Sequence, residues 1–535
     1  MATGTSLLSV SPYGPLLDLA LHVHDLANSG RPSDALAAAE TYEPVAQALG
    51  DDKTVDFLMQ GRVYAYQYLG QFPQAMRVGN QLLGRHRARG NATGEAKVLA
   101  DLADLSMLSG HPAEGIEHLA RAGLVLETID RRNDRYASAL AAYGQAANTA
   151  GLFEVAGSAY EQVIQHHDTY SASRGSFVEQ RYLELLIAWA FRLDHVGQHL
   201  EASARLRRAA TISARWLANC ADPDPRDPST VTDRWEMLAV QALALAKLGE
   251  SESAIALVGP VLIPLRENNL AGGAWAAHLA LGVALGTRAA TSTAARRELL
   301  AARDWCGQGN WTDDEFIVTH ELALLAARTC SEQTSRDMLA GLQLQARLLW
   351  QQRLQGLAML HQARDRAKLE IERARAQEAL LRDPLTGLGY RRCFDQVLAT
   401  VDGGDVQLPL TLLVVDVDKF KSINDTYSHA VGDSVLREMA TILADQCRKG
   451  RDNPIRYAGD EFTIFCHTDI ASATQIAERI RAAVAEHHFE YISDGISVSI
   501  GGAELTTGMT GAELFNAADA HLYEAKRHGR DCVAV

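Results

Sequence analysis

Residues 408–433 read LPLTLLVVDVDKFKSINDTYSHAVGD, and the largely apolar run Leu410–Val415 ends abruptly in Asp416 and Asp418. The run has the length and composition of a buried strand. Strand alternation places Asp416 and Asp418 on one face, at the end of an element otherwise too apolar for charge. A carboxylate there is costly unless a cation or a hydrogen-bond donor compensates it. A divalent metal suits the position, since Mg²⁺ is held by a few carboxylates together with substrate phosphates.

Further along, residues 456–467 read RYAGDEFTIFCH. Apolar and aromatic residues flank Ala458-Gly459-Asp460-Glu461, which predicts a β-hairpin with Gly459 at the bend. Asp416 and Asp460, 44 residues apart, are then two strand-borne acidic sites that a sheet can bring together around metal. A two-metal nucleotidyl-transfer site has that layout, with one ion activating a hydroxyl and the other steadying the leaving phosphate. Upstream, RDPLTGLGYRR (382–392) carries Pro384, Gly387 and Gly389, which force a turn before this region.

Five segments, DPLTGL (383–388), DVDKFKSINDTYSHAVGD (416–433), RYAGDEF (456–462), SVSIGGAEL (497–505) and AADAHLYEAKRHGRD (517–531), resemble in order and spacing the GGDEF family of diguanylate cyclases. The resemblance covers Asp383–Val535, and the domain it marks is placed at 382–535. It implies an α+β fold, a central antiparallel sheet with packed helices, related to polymerase palms and nucleotidyl cyclases. It also implies condensation of two GTP into cyclic di-GMP with loss of two pyrophosphates, in an antiparallel homodimer. Carried over by position, Asp416, Asp460, Glu461 and the Val417 carbonyl hold Mg²⁺, with Mn²⁺ as the substitute metal. Asp460, with Glu461 assisting, favours deprotonation of the GTP 3′-OH. Asn424 and Asp433 bind the guanine edge, where a carboxylate acceptor suits the N1–H and amino donors. Phe420 and Lys421 lie in the loop whose backbone N–H groups cradle the phosphates, and Lys526 and Arg530 neutralise them.

The sequence departs from the family pattern in four places. Ala458 stands where the signature begins with glycine, which places a methyl group near the substrate. The product-inhibition motif RxxD is represented by Lys449 through Asp452, and lysine lacks the bidentate guanidinium contact, so feedback inhibition is expected to be weak or absent. Tyr390 replaces the usual asparagine after DPLTGL, and Asp531 replaces the asparagine of the closing motif; neither is an expected ligand.

Before these motifs lies a repeat. A glycine followed five residues later by a small residue recurs at Gly30/Ala35, Gly70/Ala75, Gly110/Gly115, Gly151/Ala156, Gly197/Ala202 and Gly249/Ala254, with spacings of 40, 40, 41, 46 and 52 residues. Glycine ending one helix and a small residue letting the next approach predict antiparallel helix pairs. The pattern resembles tetratricopeptide-type arrays, though its period is longer than the usual ~34 residues. Residues 1–335 are therefore expected to form an all-α, tetratricopeptide-like solenoid whose concave face takes a protein or small-molecule regulator. An ordinary α-helical domain, or a spacer without a ligand, is the competing reading. Residues 336–381 form a helical connector, with Leu360, Ala367, Ala374 and Leu381 at intervals of seven and Arg364 and Glu378 interrupting a second row. That weak heptad suits a parallel coiled coil, a helix packed on the repeats, or a solvated helix.

Hydrophobic residues make up 47% and charged residues 22% of the 535, as in folded globular chains. The net charge of −15 argues against nucleic acid or an anionic membrane as partner. No apolar run reaches the ~20 residues of a membrane span, and no basic segment precedes an apolar N-terminus. The seven scattered cysteines, without a CxxC pair, argue against disulfides and a cysteine-built zinc site. These features point to a protein of the cytoplasm, and the resemblance implies a bacterial signalling enzyme. The competing function is a catalytically inactive adaptor that senses GTP or cyclic di-GMP through protein contacts.

Overall fold

The structure is a computed structural model and describes residues 16–535 except 29, 130–132, 166–171, 220–227, 310–311, 330–332, 405, 449–450, 491 and 493–494. It divides into two compact units, Met1–Lys368 and Leu369–Val535.

The first unit is helical among its described residues. Helices Leu17–Asn28 and Pro32–Ala48, Asp52–Tyr68 and Phe72–Ala88, Ala92–Leu108 and Pro112–Leu126, Asp134–Thr149 and Phe153–Gln165, Ala172–His195 and His199–Asn219, and Pro228–Lys247 and Ser251–Val258 form successive hairpins. The turn of each hairpin holds one of the six repeat glycines, all with positive φ, from +68° at Gly70 to +91° at Gly249. A side chain in that left-handed conformation is strained, so glycine stops each helix at no steric cost. Five residues on, Ala35, Ala75, Ala156, Ala202 and Ala254 are buried, as is Gly115. The smaller side chain is what lets the second helix close on the first. The period also has a half-step that the spacing of 40 conceals: Gly50 and Gly90, between successive hairpins, have positive φ as well. There the following helices are capped by Asp51, which accepts from the Thr54 N–H, and Asn91, which accepts from the Gly94 N–H.

The long helix Gln333–Leu380 packs on these hairpins over its middle part. Leu360 is buried in their apolar core, with Leu357 and Ala363 against it. Arg353, Arg364 and Arg366 pair with Glu154, Glu127 and Glu117. Of the three readings of the connector, packing on the repeats is therefore the one that residues 353–366 adopt. No helix among the described residues is long and apolar enough to cross a membrane.

In the second unit the order is β1 (Gly389–Tyr390), α1 (Arg391–Gly403), β2 (Thr411–Val417), α2 (Phe420–Tyr427), α3 (His429–Gln446), β3 (Asp452–Ala458), β4 (Glu461–Cys466), α4 (Ile470–Glu486), β5 (Val498–Glu504), α5 (Gly511–Arg527) and β6 (Val533–Ala534). The strands form one sheet in the order β1-β3-β4-β2-β5-β6. Its centre, β3-β4-β2-β5, is antiparallel, as the resemblance implies. The short outer strands pair in parallel, β1 with β3 and β6 with β5, so the sheet as a whole is mixed.

Every residue of β2 is buried, and alternation divides it between two cores. Leu413, Val415 and Val417 face α3 and α4 through Met439, Leu443, Ile476 and Ile480. Leu412 and Val414 face α1 and α5 through Phe394, Leu514, Ala518 and Leu522. Helix α5 lies almost on the sheet at Gly501, where a Cβ would fall 2.1 Å from the Leu522 nitrogen and 2.2 Å from the Ala518 carbonyl oxygen. Backbone atoms cannot yield to such an overlap. Gly501→Ala is expected to destabilise the second unit by about 1–3 kcal/mol, the usual range for an overpacked core, read as an earlier transition in thermal or urea unfolding.

Candidate active site at the end of strand β2

Strand β2 lies between β4 and β5, and its register sets Asp416 opposite Glu461 on one side and Ser499 on the other. The β3–β4 turn, with Gly459 at φ +50°, carries Asp460 to the same end of the sheet, where the Asp460 carbonyl accepts from the Val417 N–H at 3.4 Å. Hence Asp416, Val417, Asp460 and Glu461 are gathered by sheet pairing alone. Ala458 ends β3 exposed and without positive φ, so alanine there imposes no backbone strain.

The side chains are electrostatically crowded. Burial pushes the Asp416 carboxyl above its ordinary range; Lys526 opposes this, and the Asp460 and Asp418 charges add to the rise. Burial likewise raises Glu461, followed by Asp416, with Lys526 again opposing. Lys526 on α5 reaches Asp416 at 2.8 Å and serves as the cation that the carboxylate needs. Clustered carboxylates with an adjacent backbone carbonyl make an oxygen-only donor set, which fits a hard divalent cation such as Mg²⁺.

Asp418 takes a different role from its neighbour. It accepts from the hydroxyls of Ser497 and Ser499, both at 2.7 Å, and from the Asp531 N–H at 3.1 Å. Arg530 lies 4.0 Å away. So Asp418 ties β2 to β5 and to the chain after α5, and only Asp416 of the strand-end pair is left facing the turn that carries Asp460.

Beyond β2 the chain turns sharply into α2 through Lys419 at φ +55°. Phe420 and Lys421 form the first turn of α2, where helix N–H groups are unpaired within the helix. Asn424 and Asp433 lie on α2 and α3, and the junction between the helices is Ser428 at φ +128°, a strained conformation for a residue with a side chain. Gly432 brings the two together: a Cβ there would stand 2.0 Å from Asn424 Oδ1 and 3.2 Å from the Phe420 ring. Gly432 thus admits the Asn424 amide against α3, at the residue before Asp433. Sequence reasoning passed over it although it stands in the quoted motif, because the contact spans two helices.

Arg456 was likewise not singled out. It donates to the Gly459 carbonyl at 2.9 Å and to Asp383 at 3.0 Å, clamping the acidic turn to the start of DPLTGL. The Asp383 carboxylate also caps its own turn through Thr386. At the degenerate inhibition motif, Lys449 lies outside the described residues. Asp452 is buried and takes three hydrogen bonds from Arg448, one from its backbone N–H and two from its guanidinium at 3.0 and 2.9 Å. Its partner thus lies four residues before it, whereas the family motif places arginine three before.

Residues 380–532 match the family described as diguanylate cyclase, GGDEF domain. This region is a GGDEF domain. It is 38% identical over 152 residues to diguanylate cyclase DgcS of Shewanella oneidensis, covering 28% of this chain and 51% of that protein. Diguanylate cyclase A of Treponema denticola is 35% identical over 180 residues, 32% of this chain and 48% of its own. The chain therefore spans about half the length of these curated relatives, and the match lies in the GGDEF domain. Among solved structures, the GGDEF domain of DgcB from Caulobacter crescentus in complex with c-di-GMP is 32% identical, covering 29% of this chain and 94% of that one, with a TM-score of 0.27.

Two of the buried aspartates of this domain, Asp383 and Asp452, have a pH signature. Burial raises Asp383 and Asp452, but hydrogen bonds from Thr386 and Arg456 to the first, and from Arg448 to the second, outweigh it and hold both below the ordinary carboxylate range. A folded-state value below the unfolded one contributes stability that is complete above the unfolded pKa of about 3.9 and lost as pH falls through the folded value. Thermal unfolding of the GGDEF domain is expected to show a melting temperature that drops below about pH 4, and Asp452→Asn should shrink that drop while lowering stability at pH 7.

Proposed function

We propose that this chain is a diguanylate cyclase that joins two GTP into cyclic di-GMP, with its output set by the N-terminal helical unit. The observation that carries the reading is the meeting of Asp416, Glu461 and the Asp460 turn at one end of the sheet, with Lys526 2.8 Å from Asp416. A structural salt bridge needs one carboxylate; three brought to one end of the sheet suit a cation and a polyphosphate.

In this reading Asp416, Asp460, Glu461 and the Val417 carbonyl hold Mg²⁺, or Mn²⁺. Bound there, the metal supplies charge neutralisation at the phosphates and a lowered pKa at the GTP 3′-OH. Asp460, with Glu461, takes the 3′-OH proton. Asp433 accepts from the guanine N1–H and amino group, Asn424 hydrogen-bonds the same edge, and the carboxylate selects guanine over adenine. The first turn of α2 at Phe420 and Lys421 offers N–H groups to the β and γ phosphates. Lys526, which lies 2.8 Å from Asp416, would neutralise the triphosphate together with Arg530. The 3′-OH of one GTP attacks the α-phosphate of the other, pyrophosphate leaves, and the step repeats in the opposite sense. Each domain holds a single GTP, so two copies face each other antiparallel, and catalysis is positioning plus charge neutralisation.

The domain plan that accompanies this function is a tetratricopeptide-like array over 1–335, a helical connector over 336–381 that packs on the array around Leu360, and the GGDEF domain over 382–535. Support for the array comes from the glycine-turned hairpins and their buried small residues. The concave side of such an array takes a protein or small-molecule regulator, and the chain acts in the cytoplasm.

Incubation of the purified full chain with GTP and Mg²⁺ is expected to yield cyclic di-GMP, detected by mass spectrometry. Asp460→Asn should lower the rate by on the order of 10²–10³. GTP binding without product from the wild type, at high protein concentration, would replace the cyclase reading with that of a nucleotide-sensing adaptor. Because Asp452 is engaged by Arg448 and position 449 is lysine, added cyclic di-GMP is expected to leave the initial rate unchanged. Inhibition that vanishes in Asp452→Ala would show instead that the degenerate motif still binds product.

A further inference from the structure

The first unit contains a buried ionisable cluster far in sequence from the cyclase motifs. Asp194 and His195 end the helix Ala172–His195, Lys247 ends Pro228–Lys247, and His320 and Glu321 lie within Thr312–Thr329. Lys247 donates to Asp194 at 2.7 Å and to Glu321 at 2.9 Å, which accounts for those three charges.

The two histidines have no such account. The His195 side chain is fully inaccessible to solvent and His320 is 2% exposed. Their rings stack at 3.6 Å between centroids. All four ring nitrogens are buried without a hydrogen-bond partner among the described residues. A neutral imidazole carries one N–H donor and one lone pair, so two donors and two acceptors are left unpaired in a place where apolar side chains would pack at no such cost. His195, His320 and Glu321 are also the one group of three His, Cys, Asp or Glu residues, among those described, whose ligand atoms all lie within 4.8 Å of one another.

We propose that His195, His320 and Glu321 form a binding site for a divalent transition-metal ion, with Zn²⁺ the best match. Two imidazoles and a carboxylate are a donor set that zinc takes with three protein ligands and one open position. Binding requires a local rearrangement. Donors of a tetrahedral zinc site lie about 3.3 Å apart, given bonds of roughly 2.0–2.1 Å, whereas His195 Nε2 and Glu321 Oε1 are separated by 3.9 Å. The rings are inclined by only 22°, so an ion cannot lie in both ring planes until one ring turns about its Cβ–Cγ bond. Asp194 keeps Lys247 paired while Glu321 turns to the ion. Loading then ties the end of one hairpin helix to a helix more than a hundred residues later in the chain, which makes the first unit responsive to metal.

The test uses the full chain, stripped with a chelator and dialysed against Zn²⁺ or Co²⁺. One equivalent of Zn²⁺ per chain is expected by elemental analysis, with a higher melting temperature on loading. Co²⁺ should give the intense visible bands of a tetrahedral, imidazole-ligated ion. His320→Gln and Glu321→Gln should lose the equivalent and the bands while keeping their circular dichroism, and Asp416→Asn should retain both. A wild-type chain that holds no zinc, or gives only the weak spectrum of octahedral oxygen ligation, overturns the proposal even if the histidine variants fail to fold. So does an equivalent that survives His320→Gln and disappears in Asp416→Asn.

Discussion

Everything at the candidate active site depends on one electrostatic constraint, the placement of Asp416 at the end of a strand with no exposed residue. Sheet pairing on both sides of β2 fixes the backbone there, so the carboxylate cannot withdraw to solvent as it would in a loop. Its charge must be met where it stands. Lys526 meets it from α5, and α5 comes close enough because Gly501 offers no Cβ to the passing helix. The central strand, the glycine in β5 and the cation on α5 are parts of a single solution to burying one charge.

The same economy separates two carboxylates that look equivalent along the strand. Asp418 is saturated by Ser497, Ser499 and the Asp531 N–H, and a saturated carboxylate has little left to offer a metal. Asp416 holds one lysine and faces Glu461 and the Asp460 turn. Arg456 adds a second tether by joining that turn to Asp383, so the acidic bend is held from both sides before any substrate arrives. Preorganisation of this kind is what a charge-neutralising active site requires, since donors that need not move cost nothing at the moment of reaction.

In the first unit the organising force is backbone conformation. Glycine at positive φ ends each first helix of a pair, and a small residue five positions on admits the second. That device is local, so it is written in the chain at a nearly regular period. It says nothing about what lies between the helices, where Lys247 balances two carboxylates and two histidines remain unsatisfied.

Legibility in the sequence followed the range of the interaction. The hairpin turns, strand β2, the acidic bend and the helical first unit are all consequences of neighbours within a few residues, and each could be read from glycine placement, apolar runs and alternation. Resemblance carried Asn424, Asp433, Lys526 and Arg530, whose spacing alone has no chemical reading. Tertiary structure decided the rest: that Arg456 finds Asp383, that Gly432 seats Asn424, that Asp452 is engaged by Arg448, that the connector around Leu360 packs on the repeats, and that His195 meets His320. The physical reason is the same in each case. Local conformational preferences act through the chain and leave a pattern in it, while charge pairing and close packing act through space between residues whose separation along the chain carries no information.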